Sequence, residues 1–419
     1  MPTLLSVNNY YYRRGGAEAV FLGENELLTE RDWTVVPFAM SHPKNLPTPW
    51  SRYFAEEIEF GSKYSLLGSI ARGARVIYSL EARRKLDALL AEVQPDICHA
   101  HNIYHHLSPS ILGLLHSRGI PVVLTLHDLK IACPAYNMLA ADGICERCKG
   151  GRLYNVLVHR CIKDSRALSG LVMLESYFHR LLRTYTRCVN RFVVPSRFYL
   201  AKLVEWGFAP EQFAYIPNFV RTEQTTPTYE AGGGFLYFGR LSPEKGLTTL
   251  IRAAAQSHSR LMLAGTGPQL ETLRALADQT GADVTFLGHL DAQRLHQAIR
   301  SARAVVLPSE WYENAPMSVL EAYACGRPVI GARIGGIPEL LKDGETGLIF
   351  DSGNAESLAE ALHRLATMPD STVIGMGRAG RDWVERDFSA TAYVERISAL
   401  FATLLPTRLP AGQAPGACG

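Results

Sequence analysis

Three stretches of this chain set phosphate- and hydroxyl-binding groups where a strand gives way to a helix. The first is Gly239-Arg240-Leu241-Ser242-Pro243-Glu244-Lys245-Gly246. It offers two cations, Arg240 and Lys245, beside a glycine turn that opens a helix. A diphosphate is held by such a set: a bidentate guanidinium, a point-charge ammonium and helix N-terminal amides. Taken alone, the segment also reads as a solvated surface turn. The second is Ala264-Gly265-Thr266-Gly267-Pro268, where Gly265 and Gly267 let a ligand approach the backbone closely. The third, residues 308–322, is the strongest. Pro316 suits the first helical position, with Asn314 or Ala315 just before it. The amides of Met317, Ser318 and Val319 then point out of the helix end, ready for phosphate oxygens. Glu313 in the turn and Glu321 along the helix flank that anion site. Carboxylates do not bind phosphate, but they accept hydrogen bonds from hydroxyls. A ligand with sugar hydroxyls on both sides of a phosphate bridge fits, and a nucleotide sugar is such a ligand. The competing reading makes Glu321 an exposed helix residue and Glu313 a cap facing the helix dipole.

The elements that must position these residues alternate between strand and helix. In the first half, apolar runs at 3–7, 33–38, 96–100 and 121–126 read as strands. A helical pattern begins at Gly15-Gly16-Ala17-Glu18, and a long basic helical pattern covers 65–92. In the second half, strands are expected at 235–239, 261–264, 284–287, 304–307 and 328–330. Such alternation indicates βαβ units and parallel sheets. The fold class is therefore α/β, with two doubly wound domains facing a central cleft. Ligands of such folds bind at the carboxyl ends of the strands. The expected division is 1–195, then 196–388, with a final helix at 389–405 crossing back to the first domain and a tail at 406–419. The strand at 191–196 closes the first domain, and 221–234 is a linker by composition. His127 ends the strand at 121–126 and faces the cleft. His99, His101, His105 and His106 read equally as core or loop residues. Cys98-His99-Ala100-His101 has the look of a metal pair, but alternation along a strand gives the same pattern.

Four cysteines crowd one stretch. Cys133, Cys145, Cys148 and Cys161 form C-x11-C-x2-C-x12-C, an insert spanning 133–161. The short central spacing is that of a zinc knuckle, and the outer thiols complete a tetrahedron. His159 is an alternative ligand. Two readings stay open, a closed structural zinc and buried or redox-active thiols. In a reducing compartment the crowding favours metal over disulfides.

In this order the motifs resemble glycosyltransferase family 4, the retaining, nucleotide-sugar-dependent enzymes of the GT-B fold. The likeness covers nearly the whole chain. It rests on Gly15-Gly16-Ala17-Glu18, His127-Asp128, Phe238-Gly239-Arg240 with Glu244-Lys245-Gly246, Ala264-Gly265-Thr266-Gly267, and Glu313-x7-Glu321 continued by Ala324-Cys325-Gly326-Arg327-Pro328-Val329-Ile330. The resemblance implies two Rossmann-like domains, the first for the acceptor and the second for the donor. It implies that Arg240 and Lys245 clamp the diphosphate, and that Glu313 contacts hydroxyls of the donor sugar. Backbone amides from Asn314 to Val319, including Ala315, would hold sugar and phosphate, and Glu321 would bind the ribose. Gly15 and Gly16 would let a loop approach the phosphates, with Gly239 shaping the facing turn. His127 would line the reaction centre, and Asp128 would orient the histidine or its loop. A subset of the family carries a similar cysteine insert after its His-Asp motif.

The expected chemistry is transfer of a glycosyl group from a nucleotide diphosphate sugar to an acceptor hydroxyl with retained configuration. Its setting would be bacterial cell-surface polysaccharide or glycoconjugate synthesis. The acceptor would be a saccharide or a lipid-linked glycan. No Asp-x-Asp occurs in the chain, so no catalytic divalent metal is implied. Two other GT-B chemistries, epimerase and phosphorylase, compete. So does a zinc-knuckle nucleic-acid-binding protein, which leaves the second half unexplained. With 419 residues, 20% charged and a net charge of only +3, a dedicated nucleic-acid binder is disfavoured. No apolar run reaches the length of a membrane span, and the first residues lack the pattern of a signal peptide. A cytoplasmic protein is expected. Arg72, Arg75, Arg83, Arg84 and Lys85 could bring its first domain to an anionic inner membrane face, or form a solvated helix face.

Overall fold

The computed structural model describes residues 1–57 and 73–405. Arg72, the start of the expected 65–92 helix and the 406–419 tail lie outside the described residues. Two six-stranded sheets organise the chain. The first holds β1 (Thr3–Val7), β2 (Thr34–Phe38), β3 (Ile97–Ala100) and β4 (Val122–Thr125). A small hairpin, β5 (Leu139–Ala140) and β6 (Gly143–Ile144), interrupts it before β7 (Arg191–Val194) and β8 (Phe213–Tyr215) complete it. The second holds β9 (Phe235–Phe238), β10 (Leu261–Ala264), β11 (Val284–Gly288), β12 (Ala304–Leu307), β13 (Val329–Ala332) and β14 (Gly347–Phe350).

The sheet orders are β2-β1-β3-β4-β7-β8 and β11-β10-β9-β12-β13-β14, and every pairing in both is parallel. β3, β4, β12 and β13 are buried along their whole length. Helices on both faces demand this, and it explains why these strands read as continuous apolar runs. Strand order reverses beside β1 in one sheet and beside β9 in the other. Ligands of open α/β sheets bind outside the strand ends at such reversals. The expected doubly wound α/β architecture is what forms.

Several expectations need correction. The first sheet does not end at 195. Ser196 caps the helix Arg197–Glu205, accepting from the Tyr199 amide at 3.1 Å, and that helix leads into β8, which pairs with β7. The first half therefore extends beyond residue 215. The 65–92 region is not one helix either. Ser79 caps a new helix, Leu80–Glu92, by accepting from the Ala82 amide. Strand β14 carried no expectation. Pro316 is the cap residue of the helix Met317–Ala324, with extended ψ 122, rather than its first helical residue.

The last helix, Ala390–Ala402, lies against the first half. Its Tyr393, Ile397 and Phe401 share one apolar cluster with Leu4, Leu28, Ile97 and Val193. Ile397 and Phe401 are fully buried, and burial of each such side chain contributes about 1.5–3 kcal/mol. That is enough to hold the chain's return to the first sheet.

Candidate active site

Two helix N-termini meet between the sheets. Gly16–Thr29 starts after β1, and Met317–Ala324 starts after β12. A Cβ on Gly16 would lie 3.4 Å from Met317 Cγ, so the two ends approach to van der Waals distance. Helix N-termini carry free amides and the positive end of the dipole. The amides of Met317 and Ser318 have no partner among the described residues, whereas the Val319 amide donates to the Pro316 carbonyl at 3.2 Å. Val319 is thus closed to a ligand, and its side chain is buried.

The expected cations reach this region, each with a carboxylate partner. Lys245 Nζ donates to Glu313 Oε1 at 2.6 Å, and Ser309 Oγ donates to the same oxygen at 2.7 Å. Glu313 is buried. Burial pushes its carboxyl up, but the Lys245 ammonium and these hydrogen bonds pull it below the ordinary value. Lys245 Nζ also lies 5.0 Å from the centre of the Trp311 ring. Arg240 pairs with Glu244 and donates to Ser242 Oγ at 3.1 Å. Its side chain is 67% exposed, so the guanidinium can turn toward an incoming anion.

Gly239 and Gly265 serve the backbone. Gly265 has φ +140, and a Cβ there would fall 1.8 Å from the Gly239 carbonyl oxygen. The two strand ends therefore pass in backbone contact, and Gly267 is equally confined by Leu241.

Glu321 lies on the helix Met317–Ala324, where Arg13 of the first half approaches its carboxylate at 3.8 Å. Burial pushes this carboxyl up to about 7, with Arg13 drawing it back. Between its ordinary value near 4.5 and 7, the folded protein holds a proton that the unfolded chain has released. The contribution of this group to stability therefore falls as pH rises through that window. The Glu321→Gln protein is expected to show a shallower fall of Tm between about pH 5 and 7, read by thermal unfolding across buffers.

His127 follows β4, as expected. Its Nε2 lies 2.8 Å from His101 Nδ1, and the rings stack with centroids 5.1 Å apart. Burial, then the neighbouring histidines, hold it well below the usual histidine range. Asp128 accepts from the Lys130 amide at 2.9 Å and is pushed up by burial to about 6. It caps a turn and makes no bond to the His127 ring. Asn314 spends its side chain as a strap. Its Nδ2 donates to the Leu126 carbonyl at 2.9 Å, and Ser196 Oγ donates to its Oδ1 at 2.8 Å. Asn218 holds the Ala315 carbonyl at 2.9 Å. The turn before Met317 is thereby locked to the residue before His127. Side-chain identity gave no sign of these bonds, because the partners are 97 to 188 residues apart in sequence. Tyr136 is a residue that the sequence did not single out. It projects from the cysteine insert with φ +61, and the charges of both Asp128 and Arg240 act on its hydroxyl.

Cys133, Cys145, Cys148, Cys161 and His159 line one small cavity. Burial raises Cys133 to about 11 and Cys148 to about 12, and neighbouring thiols add to both. Among the described residues, one group of three ligating side chains has its donor atoms within 4.8 Å of one another, and it is Glu24, His99 and His101. The thiols are gathered less tightly. The insert also touches the second half, where Tyr312 OH donates to Glu146 Oε1 at 3.0 Å. Arg75, which precedes the Leu80–Glu92 helix, pairs with Glu81 on it at 3.2 Å and also reaches Glu56. Part of the expected basic face is therefore neutralised. No helix among the described residues is long and apolar enough to cross a membrane.

Solved structures share this architecture. A sucrose-phosphate synthase from Thermosynechococcus elongatus superposes with a TM-score of 0.71 at 20% identity, covering 96% of this chain and 99% of that one. The Anabaena protein HepE, solved with UDP and glucose, superposes with a TM-score of 0.69 at 17% identity, covering 96% and 100%. At such identities the likeness is one of fold, the GT-B fold. Among curated relatives, a GDP-mannose-dependent monoacylated alpha-(1-6)-phosphatidylinositol monomannoside mannosyltransferase of Corynebacterium glutamicum is 34% identical over 170 residues, 38% of this chain and 44% of that protein. A GDP-mannose-dependent alpha-(1-6)-phosphatidylinositol monomannoside mannosyltransferase of Mycobacterium tuberculosis is 38% identical over 158 residues, 35% and 41%. The chain thus matches less than half the length of these relatives. The family model for glycosyl transferases group 1 matches residues 223–383, the half that carries Lys245, Glu313 and Glu321. With the model for Glycosyltransferase Family 4 matching residues 14–224, just over half of the chain and including Gly16 and His127, this chain belongs to glycosyltransferase family 4.

Proposed function

We propose that the protein is a retaining glycosyltransferase that moves a sugar from a nucleotide diphosphate sugar to an acceptor hydroxyl, in the synthesis of a cell-surface polysaccharide or glycoconjugate. The observation that carries this reading is the approach of the two helix N-termini at Gly16 and Met317, with Lys245, Arg240, Glu313 and Glu321 around them. The diphosphate takes the free amides of Met317 and Ser318 and draws Lys245 and Arg240 from their carboxylate partners. Glu313, released from Lys245, accepts from donor-sugar hydroxyls. Glu321 accepts from the ribose hydroxyls, and it accepts more strongly when ionised. Nucleotide affinity is therefore expected to rise as pH passes through about 7, and to lose that dependence in Glu321→Gln. The GDP-mannose-dependent and UDP-bound relatives support a nucleoside diphosphate leaving group.

Departure of that group is the barrier, and oriented cations and dipoles lower it where charge develops. In the family's same-face mechanism, the leaving phosphate accepts the proton of the attacking hydroxyl. No protein nucleophile is then required, in contrast to a two-carboxylate glycosidase. The test is product analysis by NMR with a panel of nucleotide sugars. Release of nucleoside diphosphate with an α-configured product from an α-configured donor supports the reading. An inverted product, or turnover undiminished in Glu321→Ala, contradicts it.

We propose a structural zinc in the cysteine insert, held by Cys133, Cys145, Cys148 and Cys161. Four thiols around one cavity support it, because a divalent cation is what makes clustered thiolates favourable. Through Glu146 and Tyr312 the insert would brace the donor-side turn. Purified protein is expected to carry one zinc per chain, and Cys148→Ser to lose it with a fall in Tm. Metal-free wild-type protein of unchanged Tm would leave the thiols as buried cysteines.

For a lipid-linked acceptor we place the protein in the cytoplasm, at the inner face of the cell membrane. Leu174, Tyr177, Phe178 and Leu181 form an exposed stripe along the helix Arg166–Leu181, with Leu181 83% exposed. Arg180 and Arg183 are exposed beside it. Apolar side chains flanked by arginines suit an anionic bilayer surface. Leu181→Asp is expected to reduce co-sedimentation with anionic liposomes and leave nucleotide binding intact.

A further inference from the structure

Glu24, His99 and His101 are fully buried, and the donor reading uses none of them. Glu24 comes from the helix Gly16–Thr29 and the histidines from the end of β3. Glu24 Oε1 lies 2.6 Å from His99 Nδ1, and the Tyr393 hydroxyl donates to Glu24 Oε2. His99 Nε2 lies 2.8 Å from Thr125 Oγ1. Burial alone would push the Glu24 carboxyl up, but the two histidines pull it below the usual carboxylate range. His101 has its Nδ1 2.8 Å from His127 Nε2, and its Nε2 faces Glu24 Oε1 at 3.6 Å without a hydrogen bond.

One proton lies between His101 Nδ1 and His127 Nε2, since one nitrogen must donate and the other accept. Burial holds His101 below the usual histidine range and so neutral; if it carried this proton, its bare Nε2 lone pair would face the Glu24 carboxylate at 3.6 Å in a site without solvent. That contact is repulsive, and low polarity makes it costly. With its proton on Nε2, His101 instead points an N–H at the carboxylate, and its Nδ1 becomes the acceptor. His127 must then donate from Nε2.

We propose that the buried Glu24–His101 pair fixes the tautomer of His127, so that His127 Nδ1 is left as an unprotonated acceptor for a substrate hydroxyl. Glu24 and His101 are positioning residues, and Tyr393 tethers the carboxylate from the returning C-terminal helix. The substrate hydroxyl rests on the glycosyl-transfer reading; the tautomer does not. A metal ion on Glu24, His99 and His101 is the competing arrangement. It would have to displace Tyr393 or Thr125 from groups that are already engaged.

The test is long-range proton–nitrogen NMR of protein labelled at histidine nitrogen, with the His127 signals assigned by their loss in His127→Gln. Expected in the ligand-free wild type is a protonated Nε2 and a bare Nδ1 on His127. A proton on Nδ1 overturns the proposal, and it does so whether or not the protein transfers sugars. In Glu24→Gln the amide can donate to His101 Nε2, so the His127 proton is expected to move to Nδ1. With the fold retained by circular dichroism, kcat is expected to fall roughly 10–100-fold, the scale seen when outer partners that orient a histidine are removed. The donor KM should change less. An unshifted His127 tautomer in folded Glu24→Gln protein overturns the role of Glu24. So does a bound metal in the wild type that Glu24→Gln loses.

Discussion

Lys245→Ala is expected to lower kcat/KM for sugar transfer by about 10²–10³-fold, the usual effect of removing one group aimed at developing negative charge. The ammonium is the only charge-bearing partner bonded to Glu313 among the described residues. Its loss therefore also leaves a buried carboxylate unpaired. Breaking such a pair by removing one member costs about 3 kcal/mol or more, so Tm should drop by several degrees. The double variant Lys245→Ala/Glu313→Gln separates the two effects. It removes the unpaired charge, so Tm should recover most of the loss. Activity should not recover, because the cation is still missing. Steady-state kinetics and thermal unfolding on the three proteins check this. Recovery of activity in the double variant would mean that Lys245 acts only through stability.

Gly16→Leu is expected to abolish nucleotide-sugar binding while Tm changes by no more than a few degrees. Gly16 carries no left-handed backbone requirement, and a Cβ there meets Met317 Cγ at an ordinary 3.4 Å. The rest of a leucine side chain would fill the gap between the helix ends, where phosphate oxygens must reach the Met317 and Ser318 amides. Gly265→Ala should do the reverse. Its Cβ would overlap the Gly239 carbonyl at 1.8 Å, so the second half should lose stability outright. Two motif glycines, one in each half of the chain, thus differ in kind, one clearing space for a ligand and the other for the backbone. Thermal unfolding with and without nucleotide sugar distinguishes them.

The grouping of residues around the Met317 helix end was legible because it is local. Residues 308–322 put a strand end, a proline cap, two carboxylates and a helix start in one stretch of sequence. The doubly wound sheets were legible because buried parallel strands are continuous apolar runs. What escaped was set by long-range pairing. The Lys245–Glu313 bond joins residues 68 apart, and the Asn314 strap reaches across 188. Strand β8 begins only after a capped helix, and its residues are half-buried at the sheet edge, so no clean pattern marked it. His99 and His101 alternate as any strand residues do, and only the fold brings Glu24 from a neighbouring helix to face them. Val319 looked available because it stands third in its helix. Its amide instead closes on the Pro316 carbonyl three residues back, a tight first-turn bond that the helix register alone does not mark.

The central claim is that a nucleotide diphosphate sugar binds between the helix ends at Gly16 and Met317. Its most direct test is the change in Tm on adding each member of a panel of nucleotide sugars to wild-type and Gly16→Leu protein. The account predicts that at least one donor raises the wild-type Tm, and that the same donor leaves Gly16→Leu unchanged. An equal rise in both proteins, or no rise with any donor in the wild type, would contradict it.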